Sequence, residues 1–279
     1  MALSVNTNIA SLDAISRLNM TQTNLTKTLA RISSGLRITR AGDDAAGLGV
    51  AENLSALTRS LRMAMRNTND GISVVQTAEG SASEISNILK RMRELAIQSA
   101  SETLANSERT YVNDEFAELG AEIDRIAEVT EFNGVPLTDA GAVATLQVQV
   151  GVDGTANSRV AINLTNLRSD SANMGVDTGS IDLLTAANAQ AAIANIDSAL
   201  DFVNQVRSGF GATQNRLESA YRQLDNYFLN LTESESRIRD TDFAYESAQM
   251  SKYQIMQQAG VAVLSQAKNM NAQAAQLLQ

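Results

Sequence analysis

The stretch SSGLRITRAGDDAAGLG (33–49) places two adjacent carboxylates, Asp43 and Asp44, among glycines at 35, 42, 47 and 49. Three kinds of chemistry use such a pattern. A phosphate cradle needs a strand, a glycine-rich turn and then a helix, closed by GK[ST]. Here a helical pattern precedes and no GK[ST] follows. A calcium loop needs oxygen ligands at alternating positions and a closing glutamate. GDDAAGLG offers two neighbouring aspartates and then apolar residues. The third use is mechanical. Asp44 can cap a following helix by accepting from its first free amides, and Gly35 and Gly42 can take backbone angles closed to other residues. The spacing fits a joint between helices best, with Gly47 just beyond it.

The rest of the 279-residue chain supplies little else for catalysis. Histidine and cysteine are both absent, which removes the commonest general base, the thiol nucleophile and the usual zinc, copper and haem ligands. No catalytic residue, cofactor or metal site is expected. The net charge of −9 speaks against nucleic acid as a partner. The charge is unevenly spread. Residues 1–34 carry Arg17, Lys27 and Arg31 against Asp13, and residues 237–279 carry four bases against three acids. The acidic excess therefore lies wholly in the middle, which suits a surface facing water. The start, MALSVNTNIASLDAIS, has no basic region and no continuous apolar run, so a cleaved secretory signal is not expected. The uncharged run from Tyr253 to Ala267 contains four glutamines and is too short and polar to span a bilayer. The nine methionines read as seam fillers. Of the N-x-[ST] patterns, only Asn163 falls in an exposed hairpin region.

The elements that hold the joint are helical. There is one proline, Pro136, and proline is the residue that breaks helices. Apolar residues recur near a heptad at Val5, Ile9, Leu12, Ile15, Leu18, Leu25, Leu29 and Ile32, the spacing of a helix packed along a seam. After the joint the spacing resumes from Leu54 to Ala96, and a shorter helix runs from Val112 to Ile126 up to the turn-like EFNGVP. The period then changes to two. Leu146, Val148, Val150 and Val152, then Val160, Ile162 and Leu164, alternate with polar residues across DGTANS, as in a β-hairpin with one apolar face. Residues 166–180 read as loop. A long helix follows, with Ile193, Ile196, Leu200, Val203, Phe210, Leu217, Tyr221 and Leu224 in one register and Arg207 and Gln214 in its two polar slots. The last segment spaces Met256, Gly260, Val263, Ala267, Met270, Ala274 and Leu277 by four and three.

The fold class expected is therefore mostly α: long antiparallel helices in an elongated bundle, a β-hairpin region, and terminal helices paired as a coiled coil. The two ends look poorly equipped to stand alone. The first helix has nine large apolar side chains, and residues 249–279 hold ten Gln or Asn and two charges. Burial of that little surface does not offset the ordering of so much backbone. Both ends are expected to be poorly ordered in the monomer and to fold against copies of themselves.

Several segments resemble the bacterial flagellins. SSGLRITRAGDDAAGLGVAENL is similar to their connector, NTNDGISVVQTAEGSASEISNILKRMRELAIQSAS to the signature that follows, EIDRIAEVTEFNGVPL to the next helix and turn, and SRIRDTDFAYESAQMSKYQIMQQAGVAVLSQAKNMNAQAAQLLQ to the C-terminal segment. The likeness covers nearly everything apart from about 138–180. It implies a filament subunit giving swimming motility. It also implies an inner-tube helix at 1–34, a spoke at 35–45, outer rod helices at 46–130 and 181–236, a hairpin and short loop at 131–180 in place of large variable domains, and a second inner helix at 237–279. Implied partners are further copies of the chain in a helical homopolymer, an export chaperone on the C-terminal helix, and hook-associated and cap proteins. The implied location is the flagellum outside the cell, reached by type III export without a cleaved signal. Several flagellins are ligands of a vertebrate innate receptor, and KRMRELAIQ (90–98) resembles their contact motif. That carries over Arg91 and Leu95, with Glu115 on the next helix; Lys90, Met92 and Gly120 depart from the commoner pattern. Competing readings are a hook–filament junction protein, a signalling coiled coil and an enzyme. The long likeness through RELAIQ favours a filament subunit.

Overall fold

With proline confined to position 136, nothing interrupts two helices of 55 and 54 residues, α2 (Ala45–Ser99) and α4 (Ala186–Arg239). Each is about 80 Å long at 1.5 Å per residue. A computed structural model describes residues 7–139, 141–177, 179 and 181–276. The other helices are α1 (Ile9–Ser34), α3 (Asn106–Val129) and α5 (Phe243–Gln276). The order is helix, joint, long helix, helix, hairpins, long helix, helix, as the sequence pattern predicts. The chain divides into two units, one of residues 1–58 with 229–279 and one of residues 59–228.

The second unit, 59–228, has a continuous apolar core. From α2 it takes Leu61, Ile85, Leu89, Met92 and Leu95, from α3 Phe116 and Ile123, and from α4 Ile196, Val203, Phe210 and Leu217. These are the seams read from the 3,4 spacing. Arg207 fills its polar slot by pairing with Glu79 at 2.8 Å, and Arg93 pairs with Asp197 at 2.6 Å. These two pairs run in opposite sequence directions, so α2 and α4 are antiparallel here. Arg109 closes the α2–α3 turn, donating to the carbonyls of Ser99 and Ser101 at 3.0 and 2.7 Å.

Strands β3 (Thr145–Gln149) and β4 (Arg159–Asn163) pair antiparallel, with Leu146 opposite Ile162 and Val148 opposite Val160. Val148 lies so close to Gly71 of α2 that a side-chain carbon there would stand 3.0 Å from it. EFNGVP forms a second, smaller hairpin, β1 (Glu131–Phe132) with β2 (Val135–Pro136). Asn133 and Gly134 both have positive φ, 52° and 77°, the type I′ turn that Asn-Gly favours. The segment read as plain loop, 166–180, is different from that expectation. Leu167, Met174 and Val176 within it are buried in the core, as are Ile181 and Leu183 just after it. Its fixing contacts come from distant positions on α3 and α2: Asp124 accepts from the amide and hydroxyl of Ser169 at 2.7 and 3.0 Å, and Ser99 donates to the Leu183 carbonyl at 2.6 Å.

In the first unit, α1 and α5 pair antiparallel. Asn8 caps α1 by accepting from Ser11 N and also donates to the Ala267 carbonyl at 3.0 Å. Gln257 donates to Gln22 at 2.6 Å. Arg31 pairs with Glu246 at 3.1 Å.

Candidate assembly surface

The α1–α5 seam has a heptad rhythm, but not through the residues that hydrophobicity picks out. On α1 the side chains turned from solvent are Ser11, Ala14, Leu18, Thr21, Leu25, Thr28 and Ile32. On α5 they are Glu246, Met250, Tyr253, Gln257, Gly260, Leu264 and Ala267. Of the apolar stripe expected on α1, Leu18, Leu25 and Ile32 join this seam. Ile9, Leu12, Ile15 and Leu29 do not; Ile9 is 73% and Leu12 57% exposed. On α5, Met256 and Val263 are likewise exposed, one position off the seam. Val5 and Leu277 lie outside the described residues, as does the side chain of Met270. The physical reason for the shift is that small and polar groups take more than half of the seam, between Leu18, Leu25 and Ile32 on α1 and Met250, Tyr253 and Leu264 on α5. Thr21 tolerates burial by donating to the Arg17 carbonyl at 2.9 Å, and Gly260 admits Leu18 where a methyl would stand 3.2 Å from it.

The apolar residues left over form an outer face. One hundred degrees per residue puts Ile9, Leu12 and Met20 on the side of α1 opposite the seam, and Ile255 opposite it on α5. Ile255 is 66% exposed, and Tyr245, Met256, Val261 and Val263 are exposed around it. A groove on α1 is lined by Leu12, Ile15, Asn19 and Met20. Exposed apolar surface of this extent marks an interaction site.

The connector explains the glycine-rich stretch. Gly35 ends α1 in the left-handed conformation, φ 73°, and donates to the Arg31 carbonyl at 2.8 Å. The next residues are stapled to the α4–α5 junction: Arg37 N donates to the Arg239 carbonyl at 2.7 Å, Thr241 N to the Gly35 carbonyl at 3.0 Å, and the Arg37 guanidinium to the Ile238 carbonyl at 2.6 Å. Asp43 folds the turn by accepting from the hydroxyl and amide of Thr39 and the amide of Arg40 at 2.9–3.2 Å. The Thr39 hydroxyl, more than the amides, holds the Asp43 carboxyl below its ordinary pKa. Asp44 accepts from the Gly47 amide at 2.8 Å and so caps α2. A side-chain carbon at Gly47 would run into that carboxylate and into Ile38, which is why the cap is followed by glycine. Gly42 differs from the sequence reading. Its φ is not positive and its Cβ position is open, because Asp43 closes the turn without help from an unusual backbone angle.

A cleft of about 440 Å³ beside the connector is lined by Arg31, Arg37, Asp43, Asp44, Asp242 and Glu246. Its carboxylates are committed to partners within the chain. Asp242 accepts from the amides of Ala244 and Tyr245, and Glu246, only 4% exposed, is paired with Arg31. Among the described residues no group of three metal-ligating side chains converges, and no helix is long and apolar enough to cross a membrane.

Arg91 and Glu115, 24 residues apart, meet on an exposed face of α2 and α3 at 2.7 Å, with Glu94 on the other edge of the guanidinium at 3.0 Å. Glu115 and then Glu94 hold Arg91 still more firmly protonated. Leu95 departs from its expected place in this contact face. It is 1% exposed and packs in the core, since α2 turns that position toward α3 and α4. The exposed apolar neighbour is Ile97.

Known proteins share this architecture. The family model "Bacterial flagellin N-terminal helical region" matches residues 5–142, and "Bacterial flagellin C-terminal helical region" matches 193–278. A flagellin of Halalkalibacterium halodurans is 43% identical over 98% of this chain and 99% of its own. The flagellar filament core protein flaB2 of Brachyspira hyodysenteriae is 38% identical over 99% of each chain. Among solved structures, Bacillus cereus flagellin aligns with a TM-score of 0.50 and 30% identity, covering 57% of this chain and 88% of that one. A putative flagellar hook-associated protein from Vibrio parahaemolyticus aligns with a TM-score of 0.60 over 71% of this chain and 100% of that one. At 15% identity that likeness concerns the fold alone.

Proposed function

Because the chain belongs to the bacterial flagellins, a family of structural proteins and not of enzymes, we propose that it polymerises by packing the outer faces of α1 and α5 against those of neighbouring copies. The observation that carries this reading is the unfinished burial in the first unit: more than half of the α1–α5 seam positions are small or polar, while Ile9, Leu12, Met20 and Ile255 point to solvent. A helix pair of that kind gains its missing burial only from further helices. The terminal helices then lie in the filament interior, the connector 35–45 with Gly35, Asp43 and Asp44, and Gly47 just after it, fixes where they leave it, and the filament drives swimming.

The same reading places the protein in the flagellum outside the cell, with an export chaperone holding α5 beforehand and hook-associated and cap proteins bounding the filament. The weak seam supports export through a narrow channel, since a pair held by few apolar contacts unfolds at small cost. Seeded polymerisation followed by electron microscopy tests the proposal. The full chain should give long uniform filaments with helicity rising on assembly, and a version trimmed to 45–235 should give none. A full chain that stays unassembled beside seeds would point instead to a junction protein.

Contact with the vertebrate innate receptor is a second proposal, supported by the meeting of Arg91 and Glu115 on an exposed face. Arg91→Ala and Glu115→Ala should each lower receptor signalling while leaving assembly intact. Leu95→Ala should act only through stability. Unchanged signalling in both surface variants would end that reading.

A further inference from the structure

Nine methionines are spread along the chain, and their surroundings divide them. Met92 and Met174 are buried in the core of the second unit, whereas Met20 is 65% exposed and Met63 and Met256 are about half exposed. Met20 is the one of these that lines the groove on α1, beside Leu12 and Ile15. Ser16, Asn19, Thr23 and Asn24 also line it, and none of them offers a cation or a general acid. The thioether is thus open to a small oxidant in the free subunit and, if the groove is a copy–copy surface, covered once assembled.

We propose that Met20 is an oxidation site at which a peroxide blocks addition of free subunits while leaving finished filaments intact. This inference rests on the assembly reading above. In the step itself the sulfur lone pair attacks one peroxide oxygen. The S–O bond forms as the O–O bond breaks, the thioether is oxidised to the sulfoxide, and the peroxide is reduced to water, its leaving oxygen taking up the proton. The product is a polar, chiral group on a flexible chain. Packing it against a neighbour sets a bulkier, strongly hydrated group where Leu12 and Ile15 offer apolar contact, and its loss of water slows elongation by about tenfold or more. Met63 serves as an internal reference, being comparably open but in the second unit and beside Arg66. Methionine sulfoxide is reducible, so the block is reversible.

The test uses the full chain and hydrogen peroxide. Purified subunits are oxidised until mass spectrometry reports Met20 as sulfoxide, and seeded elongation is compared with untreated protein, with Met20→Leu and with Met63→Leu. The expected result is about tenfold slower elongation for oxidised wild type and Met63→Leu, with Met20→Leu resistant. Oxidised wild type elongating at the untreated rate would overturn the proposal. So would inhibition that persists in Met20→Leu but vanishes in Met256→Leu, which moves the sensitive thioether to α5. Assembled filaments are treated in parallel. If Met20 there oxidises as fast as in free subunits, the α1 face is not covered by a neighbour and the assembly reading itself fails. Protection in the filament with unhindered elongation of oxidised subunits overturns only the oxidation proposal.

Discussion

The two units of this chain use long helices toward opposite ends. In 59–228, Leu89, Phe116, Ile123, Ile196 and Leu167 are enclosed completely, although Ile97, Tyr111 and a few other large apolar side chains stay exposed. In the unit formed by 1–58 and 229–279, Leu25 and Ile38 are the only large apolar side chains buried among the described residues, while a row of others faces solvent. The difference teaches that burial is completed within one chain in the second unit and left incomplete in the first. The incomplete unit is the one to which the proposed function assigns assembly.

Substitutions in the core should separate the units most sharply. Phe116→Ala removes a side chain from a fully packed site and should cost about 3–5 kcal/mol, read as a lower denaturant midpoint of the free chain. Leu12→Ala should shift that midpoint by less than about 0.5 kcal/mol and yet slow seeded assembly. Equal effects of the two on the free chain would erase the contrast.

Within the weaker unit, Arg31→Met leaves the enclosed Glu246 carboxylate without its partner. The terminal pair should lose about 1–3 kcal/mol, seen as earlier melting of helicity. Changing Glu246 to Met as well should recover most of that loss, because two apolar groups replace an ion pair without stranding a charge. No recovery would mean that the pair does more than neutralise a buried acid. Gly47→Ala should loosen the Asp44 cap by about 1 kcal/mol, visible as faster amide exchange over residues 45–48.

A pH titration probes the connector more gently. The folded-state pKa of Asp43 is depressed, so its contribution is present above the ordinary carboxylate pKa and is lost as pH falls through the lower, folded value. The Thr39 and Arg40 amide resonances should report that low midpoint, and Asp43→Asn should abolish it. A midpoint at or above the ordinary value would contradict the Thr39 contact. The smallest effect is expected at Arg91→Ala. This pair is solvated, so the thermal midpoint should not move measurably.

The second unit was largely legible because its seams are apolar and periodic. Leu89, Met92, Phe210 and Leu217 fall where the 3,4 spacing puts them, and the alternation of Leu146 to Val152 with Val160 to Leu164 foretells the hairpin. The buried side chains of 166–183 were not legible, since Leu167, Met174 and Leu183 sit in irregular backbone that has no period to detect. In the first unit the pattern itself misleads. Apolar spacing picks out residues that mostly face solvent, and much of the intramolecular seam hides in Ser11, Thr21, Thr28 and Gln257. A signal was available: small residues and β-branched hydroxyls at heptad spacing can pack closely while satisfying themselves on their own helix. At the connector, Asp44 as a cap followed from position alone. The Thr39–Asp43 contact and the ordinary backbone of Gly42 depend on where the turn folds.

Under the proposed function, the solvent-facing apolar row of α1 and α5 packs against other copies of the chain. The most direct test of that packing is seeded elongation of a variant carrying Ile9→Ser, Leu12→Ser and Ile255→Ser, alongside circular dichroism of the free subunit. The account predicts a free subunit with unchanged helicity and melting that no longer elongates filaments. Filaments growing at the unaltered rate would contradict it.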